Sequence, residues 1–286
     1  MRIGVTGATG RLGRALVSEL RSIGDVRSWS RPEYDLDDPG TASRIGADAP
    51  DLVVHSAAWT DVDACAREPE LALRRNARAV AALALACRRA GSRFLLVSTN
   101  EVFGGDRTGA GYRPADPVGP RNPYGASKLE GERAAQEAYA DEPEALLIVR
   151  TAWLYGPPGN DFPAKILAAG LRARESGRPL PLVRDETGSP SATADVAAGI
   201  GQLIKGGAYG VRHVVNSGHA TRAEWATVVL RAADLSVATE LVSASHWRRD
   251  STPPAWGVLV SDVELRPWQE ATRDYVASSL VAAARG

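Results

Sequence analysis

The first half of the chain alternates between short strand-like segments and segments with helical periodicity. The strand-like segments are residues 2–6, 25–30, 51–54, 93–98 and 145–150. Between them, apolar residues recur at helical spacing, as at Leu12, Leu16 and Leu20, which is typical of a helix with one buried face. Regular alternation of strands and helices predicts an α/β protein built on a doubly wound parallel sheet.

Longer helices and a looser pattern follow. Residues 68–90 predict one long helix that ends before Gly91, and Asn122-Pro123 predicts a helix start, because proline fits the first turn of a helix. Beyond residue 150 we expect helices near 161–175, 193–205 and 221–233, a strand at 212–215, Pro-rich turns at 179–190 and a terminal helix from about residue 267.

The composition mainly excludes classes of protein. The 286 residues include 34 Lys and Arg and 34 Asp and Glu, so no basic excess favours nucleic acid as a partner. The sequence has no apolar run of about 18 residues, so we expect no membrane span. Cys65 and Cys87 lie in apolar periodic sequence without metal-ligand spacing, which indicates reduced core residues of a cytoplasmic protein. We expect neither a signal peptide nor a bound metal.

The first strand-like segment runs directly into a glycine-rich turn. Gly7 allows a tight turn, Gly10 lets the backbone approach phosphates, and Gly13 lets the next helix pack closely on the strand. Such a turn before a helix predicts a cradle for the pyrophosphate of a dinucleotide, although an ordinary βα loop is the alternative. The candidate contacts in this turn are Gly7, Thr9, Gly10, Arg11, Leu12 and Gly13.

The second strand-like segment ends at Ser30-Arg31 and not at an acidic residue. An Asp or Glu at that point would bind the ribose 2′-hydroxyl of NAD, whereas an arginine pairs with the 2′-phosphate of NADP. Arg31 therefore favours NADPH as the cofactor, with NADH left open. A solvated loop arginine is the alternative interpretation.

Small and polar residues follow the next two strand-like segments. Ala57, Ala58 and Trp59 come after the third, where small residues suit close passage of a cofactor. The fourth leads to Thr99, Asn100 and Glu101 at the same predicted edge of the sheet. The lone His55 at the end of the third has no ligand partner in spacing, and packing is its expected role.

The helix that begins at Asn122-Pro123 carries a tyrosine and a lysine one turn apart. Tyr124 and Lys128 stand at positions i and i+4, so both side chains lie on one face. An ammonium beside a phenol is expected to lower the pKa of the phenol, which makes Tyr124 a candidate general acid. A chance pairing on a solvated helix face is the alternative.

Taken in order, these features resemble the extended short-chain dehydrogenase/reductase superfamily. Within it, the chain is most similar to the dTDP-4-dehydrorhamnose reductase family and related nucleotide-sugar 4-ketoreductases. The motifs that carry the resemblance are the glycine turn, 57–63, 68–70, Asn76, Ser98-Thr99 with Val102-Phe103, 122–132, 150–155, 160–162 and 185–190.

The resemblance implies a Rossmann-type doubly wound parallel sheet with a smaller, interleaved substrate-binding lobe. We expect a dinucleotide-binding domain at 1–150, to which 193–217 returns. The substrate-binding lobe would comprise 151–192 and 218–266, and 267–286 would form a C-terminal helix. The substrate would lie between the lobes, at the carboxyl edge of the sheet.

The resemblance also implies roles for individual residues. Tyr124 would donate the proton, Lys128 would orient the nicotinamide ribose, and Thr99 would bond the substrate carbonyl. Asn100, Glu101 and Trp153 would contact a nucleotide sugar, and Asp35-Leu36 would lie on the adenine side of the cofactor. The implied activity is NADPH-dependent reduction of the 4-keto group of a nucleotide-activated 4-keto-6-deoxy sugar, with dTDP as the expected nucleotide.

The sequence departs from the family at two points on the substrate side. Asn100-Glu101 stands where the reductases have Asp-Tyr and the related 4,6-dehydratases have Asp-Glu, and residues 253–259 lack the arginine and serine of an Arg-Pro-x-x-Ser-x-Leu element. A dehydratase or epimerase therefore stays an alternative, as does a non-catalytic, nucleotide-binding regulatory subunit. Whether the chain forms a homodimer is also left open.

Overall fold

The computed structural model describes residues 1–38 and 40–281. In chain order the strands are β1 (Arg2–Thr6), β2 (Asp25–Trp29), β3 (Leu52–His55), β4 (Arg93–Thr99), β5 (Leu146–Thr151), β6 (Leu154–Tyr155), β7 (Leu180–Val183), β8 (Thr187–Gly188), β9 (Ser191–Ala192), β10 (Gly210–His213), β11 (Ala220–Thr221), β12 (Thr239–Val242) and β13 (Trp256–Gly257). The α-helices are α1 (Arg11–Leu20), α2 (Gly40–Ala47), α3 (Val62–Arg67), α4 (Pro69–Leu73), α5 (Ala79–Arg89), α6 (Pro123–Ala138), α7 (Phe162–Ser176), α8 (Thr193–Lys205), α9 (Arg222–Ala232) and α10 (Trp268–Tyr275).

A six-stranded sheet with the order β10-β5-β4-β3-β1-β2 forms the centre of the molecule. Every neighbouring pair in it is parallel. The chain moves outward from β1 to β2 and then returns across β1 to β3, so the direction of winding reverses between β1 and β3. In doubly wound sheets a crevice opens at this point, at the carboxyl ends of the strands. The predicted fold class is confirmed.

Both faces of the four inner strands β1, β3, β4 and β5 are largely buried, which explains why these strands read as nearly continuous apolar runs. In β5, Leu147 and Val149 face the core under α1 and α8, whereas Leu146 and Ile148 face the core under α2, α5 and α6. Alternate side chains of one strand therefore fill two different cores, and neither face is left for polar residues.

The expectation of one long helix over 68–90 is wrong in its middle. The segment begins as α4, passes through a π turn at Arg74–Arg78 and continues as α5, and α3 precedes it. The π turn contains Asn76, which accepts a hydrogen bond from the Trp59 backbone N–H (2.8 Å) and donates to the Trp59 carbonyl (2.9 Å) and the Ser127 hydroxyl (3.1 Å). These partners are distant in sequence, so the apolar periodicity could not reveal the break.

The expectation of simple turns at 179–190 is also wrong, because the segment holds β7 and β8. β7 pairs in parallel with β12, and β8 lies between β11 and β13. Pro181 sits in β7, which has one strand partner, and an edge position tolerates a residue without a backbone N–H.

The later elements pack around their own aromatic core. Its largest members, Trp225, Tyr155 and Trp268, join α9, β6 and α10. α10 continues as a π turn over Val276–Val281, and the predicted helical residues 282–286 lie outside the described part of the chain. Meanwhile β10 forms one edge of the central sheet and α8 packs against α1. Among the described residues, no helix has the length and apolarity needed to cross a bilayer.

Candidate active site

The glycine turn adopts the compact geometry that its spacing suggested. Gly7 has a φ of +66°, and a Cβ added there would lie 2.7 Å from the backbone N of Ala57. A Cβ on Gly13 would lie 2.0 Å from the carbonyl oxygen of Gly7, so α1 packs directly on the turn. Gly10 is the N-cap of α1 and offers no side-chain acceptor. The first amides of α1 are therefore suited to bind a phosphate.

A cleft of about 340 Å³ opens in front of this turn, at the carboxyl ends of β1, β2 and β3. Predicted contacts make up most of its wall: Gly7, Thr9, Gly10, Arg31, Asp35, Leu36, Ala57, Ala58 and Trp59. The remaining lining residues were not predicted from the sequence; they are Ser30, Tyr34, Asp37, Ser56 and Arg75.

The other predicted cofactor contacts do not line this cleft. The guanidinium of Arg11 donates to the carbonyl of Gly159 (2.8 Å) and lies 4.0 Å from the carboxylate of Asp161. Leu12 is buried in the core, and Gly13 lies beneath Gly7. The side chains of Arg11 and Leu12 therefore contact other parts of the protein and do not line the cleft. The backbone N–H groups at the start of α1 remain the candidates for binding the phosphate.

Arg75 is the most conspicuous lining residue that the sequence analysis missed. Its guanidinium carbon lies 5.0 Å from the centre of the Trp59 ring, and Nη2 is 2.5 Å from Oδ2 of Asp37. Hydrogen bonds from Arg75, and then from Arg74, lower the pKa of Asp37. The π turn brings Arg75 to this position, and no periodic pattern indicated that turn.

The end of β2 forms a polar rim on the cleft. The Ser30 hydroxyl accepts from the backbone N–H of Thr9 (3.1 Å) and donates to its hydroxyl (3.2 Å). Arg31 follows and is exposed. It makes no hydrogen bond or ion pair with any residue of 1–38 or 40–281 that would neutralise its charge.

Thr99 and Tyr124 meet at the carboxyl edge of the sheet. β4 carries Thr99, and α6 carries Tyr124 in its first turn, where the Asn122 side chain caps the helix by accepting from the N–H of Gly125 (2.8 Å). A Cβ on Gly125 would lie 2.1 Å from the carbonyl oxygen of Glu101, so α6 rests directly on the turn that follows Thr99. Both hydroxyl-bearing side chains are nearly buried.

The expected lowering of the phenol's pKa is wrong for this arrangement. Burial raises the pKa of Tyr124, the negative charge of Glu101 raises it further, and the neighbouring Thr99 hydroxyl acts in the opposite direction. Tyr124 is consequently a neutral phenol at physiological pH. A neutral phenol is the form that can donate a proton.

Lys128 is fully buried and uses one of its donors within the protein. Its Nζ donates to the carbonyl of Val97 (2.8 Å), which belongs to β4. Burial lowers the pKa of Lys128 to about 8, against the opposing charge of Glu132. Glu132 is itself paired with Arg150, whose Nη2 lies 2.6 Å from Oε2. Lys128 is therefore mostly an ammonium ion at neutral pH, with two N–H donors besides the one bound to Val97.

Asn100 and Glu101 are both held by the protein. Asn100 donates from Nδ2 to the carbonyl of Gly257 (3.2 Å), and a Cβ at Gly257 would lie 2.3 Å from that nitrogen. The absence of a side chain at Gly257 thus makes room for Asn100. Glu101 accepts a hydrogen bond from Nδ2 of Asn122 (2.6 Å), and burial raises the pKa of its carboxyl group.

A group of charged and aromatic side chains lies beyond Glu101. We call it the Arg222 cluster; its members are Trp153, Glu186, Arg222 and Arg249. The guanidinium carbon of Arg222 lies 3.6 Å from the centre of the Trp153 ring, and its Nε is 3.4 Å from Oε2 of Glu186. Arg249 approaches the other oxygen of Glu186 at 3.0 Å. Burial lowers the pKa of Arg222 to about 10.

The sequence analysis found part of this cluster. Trp153 was a predicted substrate contact and Glu186 lies in one of the family-like motifs, but neither arginine was singled out. Trp153 adopts a φ of +40°, which a tryptophan rarely does, and its ring covers Gly188 so closely that a Cβ there would lie 2.4 Å away. A strained residue of this kind is a recognised mark of a functional site.

The fold and these side chains together define a dinucleotide-dependent enzyme of the extended short-chain dehydrogenase/reductase type. The family described as "RmlD substrate binding domain" matches residues 1–280. The spore coat polysaccharide biosynthesis protein SpsK of Bacillus subtilis is 33% identical over 280 residues, 95% of each chain. A dTDP-4-dehydrorhamnose reductase of Mycolicibacterium smegmatis is 35% identical over 100% of this chain and 88% of its own.

Solved structures give the same result. The dTDP-4-dehydrorhamnose reductase of Clostridium acetobutylicum superposes with a TM-score of 0.88 at 28% identity. That of Bacillus anthracis, in complex with NADP, gives 0.87 at 30% identity. Each alignment covers 96% of this chain and 98% of the other. The chain belongs to the RmlD, or dTDP-4-dehydrorhamnose reductase-like, family and is an NAD(P)H-dependent oxidoreductase.

Proposed function

We propose that this chain uses NADPH to reduce the 4-keto group of a nucleotide-activated 4-keto-6-deoxy sugar, with dTDP as the nucleotide. The observation that carries the proposal is the meeting of Thr99 and Tyr124 at the same sheet edge as the glycine-lined cleft. A hydride donor in that cleft and two hydroxyls beside it are the parts a carbonyl reduction needs. Relatives named as dTDP-4-dehydrorhamnose reductases support the choice of sugar and nucleotide.

The cleft suits a dinucleotide, and its rim favours NADPH over NADH. The pyrophosphate would bind the first amides of α1, where a side chain on Gly13 or Gly7 would collide with backbone. The ribose 2′-phosphate would lie near Ser30 and Arg31, the latter having a charge that no described residue neutralises. Asp37, which would repel that phosphate, is already paired with Arg74 and Arg75.

Proton transfer would be the task of Tyr124. A nicotinamide held in the cleft would supply the hydride for the carbonyl carbon, so the protein would have to stabilise negative charge on the carbonyl oxygen. Thr99 and Tyr124 would both donate hydrogen bonds to that oxygen, and Tyr124 would then give up its proton. The pKa of Tyr124 is raised by burial, so Tyr124 carries its proton before the reaction.

Lys128 would support this step through its charge and its remaining donors. The bond to the Val97 carbonyl fixes the amine under α6. From there we propose that its ammonium group binds the ribose next to the nicotinamide and stabilises the tyrosinate that forms after proton transfer.

Residues 100 and 101 argue against the dehydratase alternative. Eliminating water from C6 of a hexose requires a base and an acid at neighbouring positions. Asn100 has an amide, which cannot supply a proton, and both ends of that amide are engaged, with the Gly257 carbonyl and the Thr99 hydroxyl. A sugar that has already lost its 6-hydroxyl needs neither group.

The experiment compares two substrates with the same enzyme. dTDP-4-keto-6-deoxyglucose and intact dTDP-glucose are each mixed with enzyme and NADPH, and the absorbance of NADPH is followed. We expect the keto sugar to consume NADPH and the intact sugar to be unchanged. Formation of a 4-keto-6-deoxy product from dTDP-glucose, without net loss of NADPH, would show a dehydratase. No turnover of either sugar, together with tight NADPH binding, would favour a non-catalytic subunit.

A further inference from the structure

Arg222 is the central member of the Arg222 cluster, and its surroundings hold it in one orientation. It is the first residue of α9, and the adjoining Thr221 fixes that end of the helix through a capping box with Glu224. The guanidinium lies flat on Trp153, with 3.6 Å between its carbon and the ring centre. Its Nε points at Glu186. A side chain held by a ring, a carboxylate and a capped helix has little freedom left to lose on binding.

The outer edge of this guanidinium is not used by the protein. In the part of the chain that the structure describes, the Arg222 side chain makes one hydrogen bond, from Nε to Glu186, and neither Nη1 nor Nη2 has a hydrogen-bond partner. Neither of those nitrogens is sealed from solvent, since buried unpaired atoms of the described residues do not include them. Two parallel N–H donors are thus presented, in the fork that binds phosphate or carboxylate oxygens in pairs.

The cluster also carries an excess of positive charge. Arg222 and Arg249 share one carboxylate, that of Glu186, whose two oxygens each bind one of them. The other acidic group that acts on Arg222 is Glu101, and burial favours the neutral form of its carboxyl group. An anion that reached Arg222 would therefore meet two guanidinium groups that share a single carboxylate partner.

The cluster lies near Glu101, which belongs to the turn that follows Thr99. Glu101 directly follows Thr99 and Asn100, and its charge acts both on Tyr124 and on Arg222. Glu101 is thus a common neighbour of Arg222 and Tyr124. In a nucleotide sugar the diphosphate is attached at C1 and the keto group is at C4, so one sugar ring separates the two groups. Two side chains that share Glu101 as a neighbour suit two groups that are one sugar ring apart.

We infer that Arg222, with Arg249 beside it, binds the diphosphate of the nucleotide sugar. Trp153 and Glu186 position the guanidinium, and the free Nη1 and Nη2 donate to phosphate oxygens. This inference rests on the proposed function for the identity of the substrate, but the chemistry it names is that of any nucleoside diphosphate. The competing explanation is structural: the two ion pairs with Glu186 would only stabilise the packing of the loop that contains Arg249 against β8.

The test measures binding of dTDP and of thymidine by calorimetry, so that no turnover is needed. For Arg222→Gln we expect dTDP to bind roughly ten- to a hundredfold more weakly, the usual effect of losing hydrogen bonds to a charged group. Thymidine, which has no phosphate, and NADPH should bind as in the wild type. Arg222→Lys, which keeps the charge but not the fork, should show an intermediate loss. Arg249→Gln, an exposed residue, should show a smaller one.

The matched control is Arg231→Gln, an exposed arginine on the same helix. It should leave the affinity for dTDP unchanged. Thermal unfolding of each variant separates the two explanations: a structural role predicts lower stability with an unchanged ratio of dTDP to thymidine affinity. Wild-type affinity for dTDP in both Arg222→Lys and Arg249→Gln would overturn the inference, even if Arg222→Gln does not fold.

The outcomes also separate this inference from the proposed function. If dTDP or UDP binds in an Arg222-dependent way but no 4-keto sugar is reduced, the inference stands and the proposed reaction is wrong. If the keto sugar is reduced with an unchanged KM in Arg222→Lys and Arg249→Gln, the reaction stands and the inference is wrong.

Discussion

The glycine-lined cleft and the Arg222 cluster are the cofactor half and the substrate half of the proposed site, and they are built in different ways. The cleft depends on backbone: Gly7 and Gly13 bring a turn and a helix so close that no Cβ would fit between them. The Arg222 cluster depends on side chains whose charges and rings hold each other. The glycine turn at the centre of the first half is one contiguous segment, residues 7–13, whereas each of the four members of the Arg222 cluster comes from a different part of the sequence.

This difference predicts which amino-acid substitutions each half should tolerate. A backbone cradle fails when atoms are added, because the space has no flexible neighbour that can move. A side-chain cluster fails when atoms are removed, because each group leaves a partner without its hydrogen bond or its charge. Tyr124 and Lys128 belong neither to the lining of the cleft nor to the Arg222 cluster, so variants of these residues test whether chemistry and binding can be separated.

The largest effect is expected at Tyr124. Tyr124→Phe removes the hydroxyl that would donate the proton, and we expect reduction of the keto sugar to fall by roughly a hundredfold or more. NADPH binding should be unchanged, because Tyr124 does not line the cleft. Steady-state kinetics and NADPH fluorescence measure the two properties. Tyr209→Phe, at an exposed tyrosine, is the control, and wild-type turnover of Tyr124→Phe would refute the assignment.

Gly13→Ala should damage the cofactor half alone. The new Cβ would stand 2.0 Å from the Gly7 carbonyl oxygen, a backbone atom, so we expect a loss of about 3 kcal/mol in the free energy of unfolding. Affinity for NADPH should fall, and affinity for dTDP much less. Urea denaturation provides the measurement. Gly119→Ala, where an added Cβ meets nothing within 4 Å, is the matched control.

Arg31→Ala should change the choice between cofactors. We expect NADPH to bind more weakly by ~1.5–3 kcal/mol, because a charge-assisted contact to the 2′-phosphate is lost. NADH lacks that phosphate, so its affinity should hardly change. Titration of both cofactors into wild type, Arg31→Ala and the control Arg21→Ala tests this. Equal affinities of the wild type for NADPH and NADH would contradict the proposed role of Arg31.

Lys128→Met should increase the free energy of unfolding, by less than Gly13→Ala lowers it, and the increase should depend on pH. Burial lowers the pKa of Lys128 to about 8, so below pH 8 the folded protein contains a buried charge at a cost in free energy. Methionine removes that cost and also the bond to Val97, and we expect a net gain of up to ~2 kcal/mol at pH 7.

The sign of the pH dependence follows from the two pKa values. Between about pH 8 and the ordinary value of 10.5 the unfolded chain holds the proton and the folded one does not, so the wild type gains stability relative to the variant. The advantage of Lys128→Met should therefore be complete at pH 7 and fade towards pH 10. Urea denaturation at both values tests this, and an advantage that grows with pH would rule out a buried ammonium.

The sequence by itself determined the parts that depend on local chain geometry. Strand and helix alternation, glycine spacing and the Asn122-Pro123 helix start are short-range signals, and the sheet, the turn at Gly7 and the cap on α6 follow from them. The residues facing the cleft from this turn and from 57–59 were predicted for the same reason: parallel strands bring their carboxyl ends to a common edge.

Only the tertiary structure decided what depends on distant partners. The π turn at Arg74–Arg78 contains Asn76, which forms hydrogen bonds with the distant residues Trp59 and Ser127. The same turn brings Arg75 to the cleft. The raised pKa of Tyr124 comes from burial and from Glu101, where spacing had suggested lowering by Lys128. Arg222 and Arg249 meet because both pair with the carboxylate of Glu186, the residue that precedes β8. The charge and burial around a side chain depend on which segments meet in space. A periodic pattern reports only on residues that are close along the chain, so it cannot predict them.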